Sequence, residues 1–293
     1  MKITITGGTG LIGRRVVDAL RERGDEVTVL SRRGEGPERW EDPSAAPPSA
    51  EVLAGRDAVL HLLGENVAQR WTDDAKREIR ESRELGTRQL VAGLRSVDAD
   101  RRPGALVSMS AIGRYGARGD ERVDEGGPAG DDFLAQVVET WEAEARRAEE
   151  LGMRVAIART GVVLASDGGA LEKMLPPFRM GVGGPVAGGR QYVPWVHLDD
   201  VVGGLLFLLD RGRGAYNLTA PEPVTNKELS KALGRALRRP AVAPVPALAL
   251  KLLYGEMGRI VTTGVRAVPK RLLEEGYAFS RPDLDDALRA AVG

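Results

Sequence analysis

The sequence predicts an α/β fold, a doubly wound parallel sheet followed by a small C-terminal lobe of mixed and helical character. Three observations carry this. Residues 2–30 read as strand, glycine turn, helix and strand. Short apolar runs then alternate with longer helical stretches as far as Ala158. Beyond Gly168 glycines cluster, and short helical patterns follow to the end of the chain.

Lys2–Thr6 and Glu26–Leu30 are β-branched runs, with a helix-like stretch at Arg14–Arg23 between them. That is the length of one βαβ unit. Gly7 lets the chain turn sharply out of the first strand. Gly10 removes a Cβ where a pyrophosphate must approach backbone N–H groups, and Gly13 lets the helix pack closely on the strand. The helix start offers unpaired N–H groups and a partial positive charge to phosphates. The spacing is G-x-x-G-x-x-G rather than G-x-G-x-x-G. With a strand before it and a helix after it, the motif predicts a Rossmann-type dinucleotide site at Gly7, Thr9, Gly10, Leu11, Ile12 and Gly13.

Ser31-Arg32-Arg33 selects the dinucleotide. An NAD site usually places Asp or Glu at the end of the second strand, on the ribose 2′-hydroxyl. Here the first acid is Glu35. A guanidinium can bind a 2′-phosphate bidentately, whereas a carboxylate would repel it. Ser31 and Arg32 are therefore expected as 2′-phosphate ligands, with Arg33 near the adenine or the phosphate. The preferred cofactor is NADP(H).

Gly34–Ala54 holds Pro37, Pro43, Pro47 and Pro48, so a full crossover helix cannot form there. Asp57–Leu63 is a continuous apolar run, as expected of a buried parallel strand, and it ends in Gly64-Glu65-Asn66. His61 within it reads as a core histidine. Trp71–Ser96 is a helix with Thr72 as its N-cap and Leu85, Leu90, Val91 and Leu94 on its apolar face. Gly104–Ser110 is a strand, Phe133–Ala148 a helix and Arg154–Ala158 a strand. The alternation implies right-handed crossovers.

Gly168–Gly189 reads as a long glycine-rich loop, either mobile or tightly turned, and such loops are often binding lids. Tyr192–Val196 looks extended. The segment His197–Asp200 is expected to cap a helix that runs to about Leu209, through Asp199 or Asp200, with His197 as a cap partner. Ala215–Leu218 is a short strand, Asn226–Arg238 a helix, and Pro240–Gly293 holds two or three short helices.

Composition sets the bounds. The chain has 293 residues, 42% of them hydrophobic, which is ample for a core. Lys and Arg number 42, as do Asp and Glu, and this balance argues against general nucleic-acid binding. There is no cysteine, hence no disulfide framework and no thiolate chemistry. The longest apolar run, Val201–Leu209, is too short to span a bilayer. No metal site is expected. The default expectation is a soluble, cytoplasmic protein with a small-molecule substrate.

Together these features resemble the extended short-chain dehydrogenase/reductase superfamily. The chain is most similar to its atypical "epimerase family protein" branch, which is NAD-dependent epimerase/dehydratase-like. The resemblance rests on Gly64-Glu65-Asn66, Ser82-Arg83, Trp141-Glu142, Arg159–Leu164, Pro176-Pro177-Phe178, Trp195–Asp200, Asn217–Asn226 and Gly255-Glu256-Met257. It implies that Leu62, Leu63 and Gly64 line the adenosine and ribose, and that Glu78 and Arg83 contact the cofactor. Val163 would border the nicotinamide, and Ser110 matches the superfamily's catalytic Ser/Thr. It also implies a Rossmann domain over residues 1–165, with 190–220 returning to it, and a substrate lobe over 166–293. Substrate would sit between Ser110, the Gly181–Gly189 loop and Trp195. A homodimer through helices Trp71–Ser96 and Phe133–Ala148 is the superfamily's common mode.

One departure matters. Typical members carry Tyr-x-x-x-Lys on the helix after Ser110, where lysine lowers the tyrosine pKa and tyrosine moves the proton. Here the helix reads Phe133-Leu134-Ala135-Gln136-Val137. Tyr115 is the nearest substitute, either a catalytic hydroxyl or a packed aromatic beside Gly116. The expected function is that of an NADP(H)-binding oxidoreductase-like protein, with a cofactor-binding sensor or regulator as the alternative.

Overall fold

The computed structural model describes residues 1–293, with all side chains except those of Ala249, Lys251, Leu253 and Tyr254. The chain opens with β1 (Lys2–Thr6), α1 (Leu11–Glu22) and β2 (Glu26–Leu30). In place of a second crossover helix come a single turn at Gly36–Glu38 and the short α2 (Ala50–Leu53). The four prolines account for this. Next come β3 (Ala58–His61), α3 (Asp73–Arg95), β4 (Ala105–Ala111), β5 (Arg122–Val123), α4 (Phe133–Arg146) and β6 (Arg154–Thr160). Thr72 caps α3 by accepting from the Ala75 amide, and Asp132 caps α4 by accepting from the Ala135 amide. The chain continues through β7 (Val162–Leu164), α5 (Gly169–Arg179), β8 (Tyr192–Val193), β9 (Trp195–His197), α6 (Leu198–Arg211) and β10 (Gly214–Leu218).

Six parallel strands form the sheet, in the order β10-β6-β4-β3-β1-β2. After β2 the chain crosses β1 and resumes at β3 on the other side. The crevice outside the carboxyl ends of β1 and β3 is therefore the topological switch point, where ligands bind in such sheets. One face of the sheet buries Ile3, Ile5 and Leu60 against Val16 and Leu20 of α1 and Val201 and Leu205 of α6. The other buries Val59, Leu106 and Val155 against Leu90 and Leu94 of α3 and Ala145 of α4.

The remaining chain forms β11 (Val224–Thr225), α7 (Asn226–Leu237), α8 (Ala247–Tyr254), α9 (Gly258–Thr262), β12 (Arg266–Ala267), α10 (Lys270–Glu274) and α11 (Leu284–Val292). A separate core joins α5, α7 and α11 around Trp195. β12 pairs with β5, and the buried Asp200 carboxylate accepts from the amides of Ser280 (2.6 Å) and Arg281 (2.9 Å).

Three expectations are corrected. Gly168–Gly189 is not one loop, because Leu171, Leu175 and Phe178 bury one face of helix α5 despite Pro176 and Pro177. The remainder is tightly turned, as one of the two readings has it. A Cβ on Gly184 would lie 2.2 Å from the Ala243 carbonyl oxygen, and Val186 bridges to Val245. The cap of α6 is neither Asp199 nor Asp200 but His197, whose Nδ1 accepts from the Asp199 amide at 3.1 Å. The end of the chain holds more helices than the two or three expected, since α8, α9, α10 and α11 all lie beyond Pro240.

Candidate active site

The glycine turn contains two different kinds of glycine. Gly7 has φ +70°, and a Cβ there would lie 2.6 Å from the Leu62 carbonyl oxygen. A Cβ on Gly13 would lie 2.1 Å from the Gly7 carbonyl oxygen. The protein itself excludes side chains at both places. At Gly10 the only neighbour within reach is the Gly7 carbonyl oxygen at 3.4 Å, and the backbone is extended with φ −77°. Nothing in the protein forbids a side chain there. Gly10 leaves open space in front of the first turn of α1, whose initial amides have no intrahelical acceptor. That turn contains no acid. Space, amides and dipole together suit a pyrophosphate.

The other predicted cofactor residues border the same edge. Ser31 is half-buried, while Arg32 and Arg33 are exposed and, among the described residues, without an ion-pair partner. Ile12, Leu62 and Val163 pack against one core cluster. Gly64 is exposed, and its Cβ position is 3.1 Å from the Arg83 guanidinium. Arg83 donates to the carbonyls of Glu65 (2.9 Å) and Ile79 (3.1 Å) and stacks on Trp141 at 5.2 Å. Burial pushes its pKa down to about 10. Glu78 lies exposed on α3. Leu63 packs at the opposite face, beside Gly86.

Ser110 and Tyr115 belong to one buried chain of hydrogen bonds. Ser110 Oγ donates to Glu142 Oε1 at 2.7 Å. Glu142 also accepts from Arg159 Nε at 2.7 Å, Arg159 Nη2 at 2.9 Å and Arg146 Nη2 at 2.9 Å. Arg159 Nη1 donates to the Tyr115 hydroxyl at 2.8 Å, and Tyr115 donates to Asn217 Oδ1 at 2.8 Å. Asn217 Nδ2 reaches the Val268 carbonyl at 2.9 Å, tying the network to the C-terminal lobe. Burial pushes the Glu142 carboxyl up, but Arg159, Ser110 and Arg146 outweigh it and hold the group below the usual carboxylate range. Burial raises the Tyr115 phenol further than Arg159 lowers it. Tyr115 is fully buried and Ser110 is 2% exposed.

Trp195 does not line a cleft as expected. It is buried among Leu164, Leu171 and Leu229, and its Nε1 donates to the Glu222 carbonyl at 3.1 Å. His61 is a core histidine, held between Thr6 (2.7 Å) and Thr87 (2.9 Å). Phe133 and Val137 stand where the Tyr-Lys pair was sought. Val137 is buried, and Phe133 meets Trp71 edge-on at 5.1 Å. Sequence reasoning missed Glu142, Arg159 and Asn217 as a unit. The available signal was one arginine inside the apolar strand Arg154–Thr160.

Known proteins share this sequence pattern and fold. The NAD dependent epimerase/dehydratase family matches residues 3–219, and a domain of unknown function matches 245–291. The mouse epimerase family protein SDR39U1 is 38% identical over 300 residues, covering all of both chains. Its chloroplastic homologue from Arabidopsis thaliana is 38% identical over 303 residues, covering all of this chain and 87% of its own. The crystal structure of the human epimerase family protein SDR39U1 with NADPH superposes with a TM-score of 0.89, at 35% identity over 99% of each chain. Among the described residues, no helix is long and apolar enough to cross a membrane. The family match spans the whole sheet and the relatives align from end to end, so the chain belongs to the NAD-dependent epimerase/dehydratase family.

Proposed function

We propose that this protein is an NADP(H)-dependent oxidoreductase acting on a small carbonyl or hydroxyl compound. The observation that carries the reading is the space at Gly10, which no protein atom fills. Gly7, Thr9, Gly10, Leu11, Ile12 and Gly13 would hold the pyrophosphate. Ser31, Arg32 and Arg33 would hold the 2′-phosphate, and Leu62, Leu63, Gly64, Glu78, Arg83 and Val163 the remainder. The NADPH bound by the human relative supports the choice of cofactor. When bound, the cofactor supplies or accepts a hydride.

The chain's own residues shape the rest. Ser110 has one proton and donates it to Glu142. Towards a ligand it therefore offers lone pairs, which suit a hydroxyl better than a carbonyl. Tyr115 acts through Arg159, as a positioning residue. A second reading, a sensor that binds NADPH without turnover, is favoured by the same fact: both candidate hydroxyls already have partners. Steady NADPH oxidation with a carbonyl library, or NADP⁺ reduction with the matching alcohols, supports the enzyme, and tight binding without turnover in either direction supports the sensor.

Calorimetry tests the cofactor assignment. NADPH should bind more tightly than NADH. Arg32→Ala should weaken NADPH roughly ten- to a hundredfold, about 1.5–3 kcal/mol for lost charge-assisted bonds. NADH binding should barely change. Equal affinity of the unmutated protein for both cofactors would overturn the assignment.

A further inference from the structure

The loop after β3 and the starts of α3 and α4 bring together aromatic and basic side chains that the cofactor reading leaves unused. Their contacts close into a ring. Trp71 meets Phe133 edge-on at 5.1 Å. Lys76 Nζ lies 5.4 Å from the Phe133 ring centre, and the Arg80 guanidinium 5.7 Å. Lys76 pairs with Glu256. The neighbouring Gly255 has its Cβ position 4.0 Å from Arg70 Nε, and Arg70 leads back to Trp71. Lys173 reaches the Ala68 carbonyl from α5 and holds the loop from the other side.

The cations of this ring are not equivalent. Lys76 is neutralised by Glu256, and Arg77 by Asp74 at 2.7 Å. Arg70 and Arg80 are exposed and, among the described residues, have no acid or carbonyl within bonding distance. An exposed arginine alone means little. Arg80, however, is laid on an aromatic face that limits its freedom, and a half-buried aromatic pair lies beside both arginines. Cations flanking an apolar wall recognise a ligand with an anionic head and an apolar body.

The cofactor's own anionic groups belong elsewhere. Its pyrophosphate is assigned to Gly10, and its 2′-phosphate to the end of β2. The helix α4 packs on β4, three strands from β2 in the sheet and thus roughly 14 Å away at about 4.8 Å per strand. We propose that Arg70 and Arg80, with Trp71 and Phe133, form the subsite for an anionic head group, carboxylate or phosphate, of the substrate. That the head group belongs to a substrate rests on the NADP(H) oxidoreductase reading. Phe133 would then be an apolar wall of the site, at the position that the superfamily resemblance matches to the tyrosine of Tyr-x-x-x-Lys.

The test compares 4-carboxybenzaldehyde with its uncharged methyl ester, titrated calorimetrically into the full-length, NADPH-saturated protein. The acid should bind at least about tenfold more tightly than the ester, and the difference should shrink as salt screens it. Arg70→Ala and Arg80→Ala should each lower the acid's affinity about three- to tenfold, while leaving the ester and NADPH within about twofold. Inorganic phosphate should compete with the acid and not with the ester. Equal binding of acid and ester, binding of neither, or an acid affinity untouched in the double variant overturns the subsite. Failure of NADPH itself to bind overturns the cofactor reading instead, and the two failures are separately visible.

Discussion

The carboxyl edge of the sheet is finished in two different ways. Around Gly10 the chain leaves space in front of the first turn of α1, whose initial amides have no intrahelical acceptor. Around Glu142 and Arg159 the Ser110 and Tyr115 hydroxyls and the two charged groups themselves have protein partners within 2.9 Å. The first region is built for something outside the chain. The second holds chain segments together, although it contains Ser110, which the resemblance matches to the superfamily's catalytic Ser/Thr. Residue type at a family position therefore does not define a role here. What defines it is whether the polar atom is left for a ligand.

The sharpest way to break this comparison is to fill the space. Gly10→Val should abolish NADPH binding in a protein whose circular dichroism is unchanged, because the side chain meets ligand rather than protein. Gly13→Ala should instead lower stability, since its Cβ would collide with the Gly7 carbonyl. If Gly10→Val retained NADPH affinity, the turn would be only a turn.

Emptying the packed region is the next largest change. Arg159→Met strips the buried Glu142 of its bidentate partner and should cost about 3–5 kcal/mol in urea unfolding. The double variant Glu142→Gln with Arg159→Met should be less damaging than the single one, because no buried charge is then left unpaired. If Arg159→Met alone proved neutral, the network would not hold the lobes together.

Acid probes the same contrast through charge. Burial lowers the His61 pKa to about 3, well below the unfolded value of 6.5. A depressed folded pKa contributes stability that is complete above the unfolded value and is lost as pH falls towards the folded one. Between pH 7 and pH 4 this loss should approach about 3 kcal/mol. Glu142, also depressed, loses stability in the same direction at lower pH. His61→Gln should flatten the slope between pH 6 and pH 4, and an unchanged slope would assign the acid sensitivity elsewhere.

The smallest expected effect is the most discriminating for function. Tyr115→Phe leaves Asn217 Oδ1 and one Arg159 N–H short of a partner, at about 1–2 kcal/mol of stability. NADPH affinity should not move. A fall in kcat of about 10²–10⁴-fold with stability intact would instead identify Tyr115 as the proton donor.

Much of this was legible in the chain. The β-branched runs set out β1 and β2, and short apolar runs between helical stretches set out β3, β4, β6 and β10; the prolines of 34–54 explained the missing crossover helix. Helix α5 was hidden by Pro176 and Pro177, whose local preference lost to the burial of Leu171, Leu175 and Phe178. The α6 cap was misassigned because His197 competes with two adjacent aspartates, and one of these, Asp200, is claimed by Ser280 and Arg281 from far along the chain.

The division follows from range. Local sequence determined what depends on neighbours within a few residues: the strand periods, the glycine turn, the Thr72 cap, and the absence of an acid at Ser31-Arg32-Arg33. Only the tertiary structure decided which polar atoms remained free. Ser110 meets Glu142 across 32 residues, and Tyr115 meets Asn217 across 102. A hydrogen bond takes up a donor's single proton wherever its acceptor lies in the sequence. Whether the Ser110 or Tyr115 hydroxyl can serve a substrate is thus settled by contacts that no local pattern encodes.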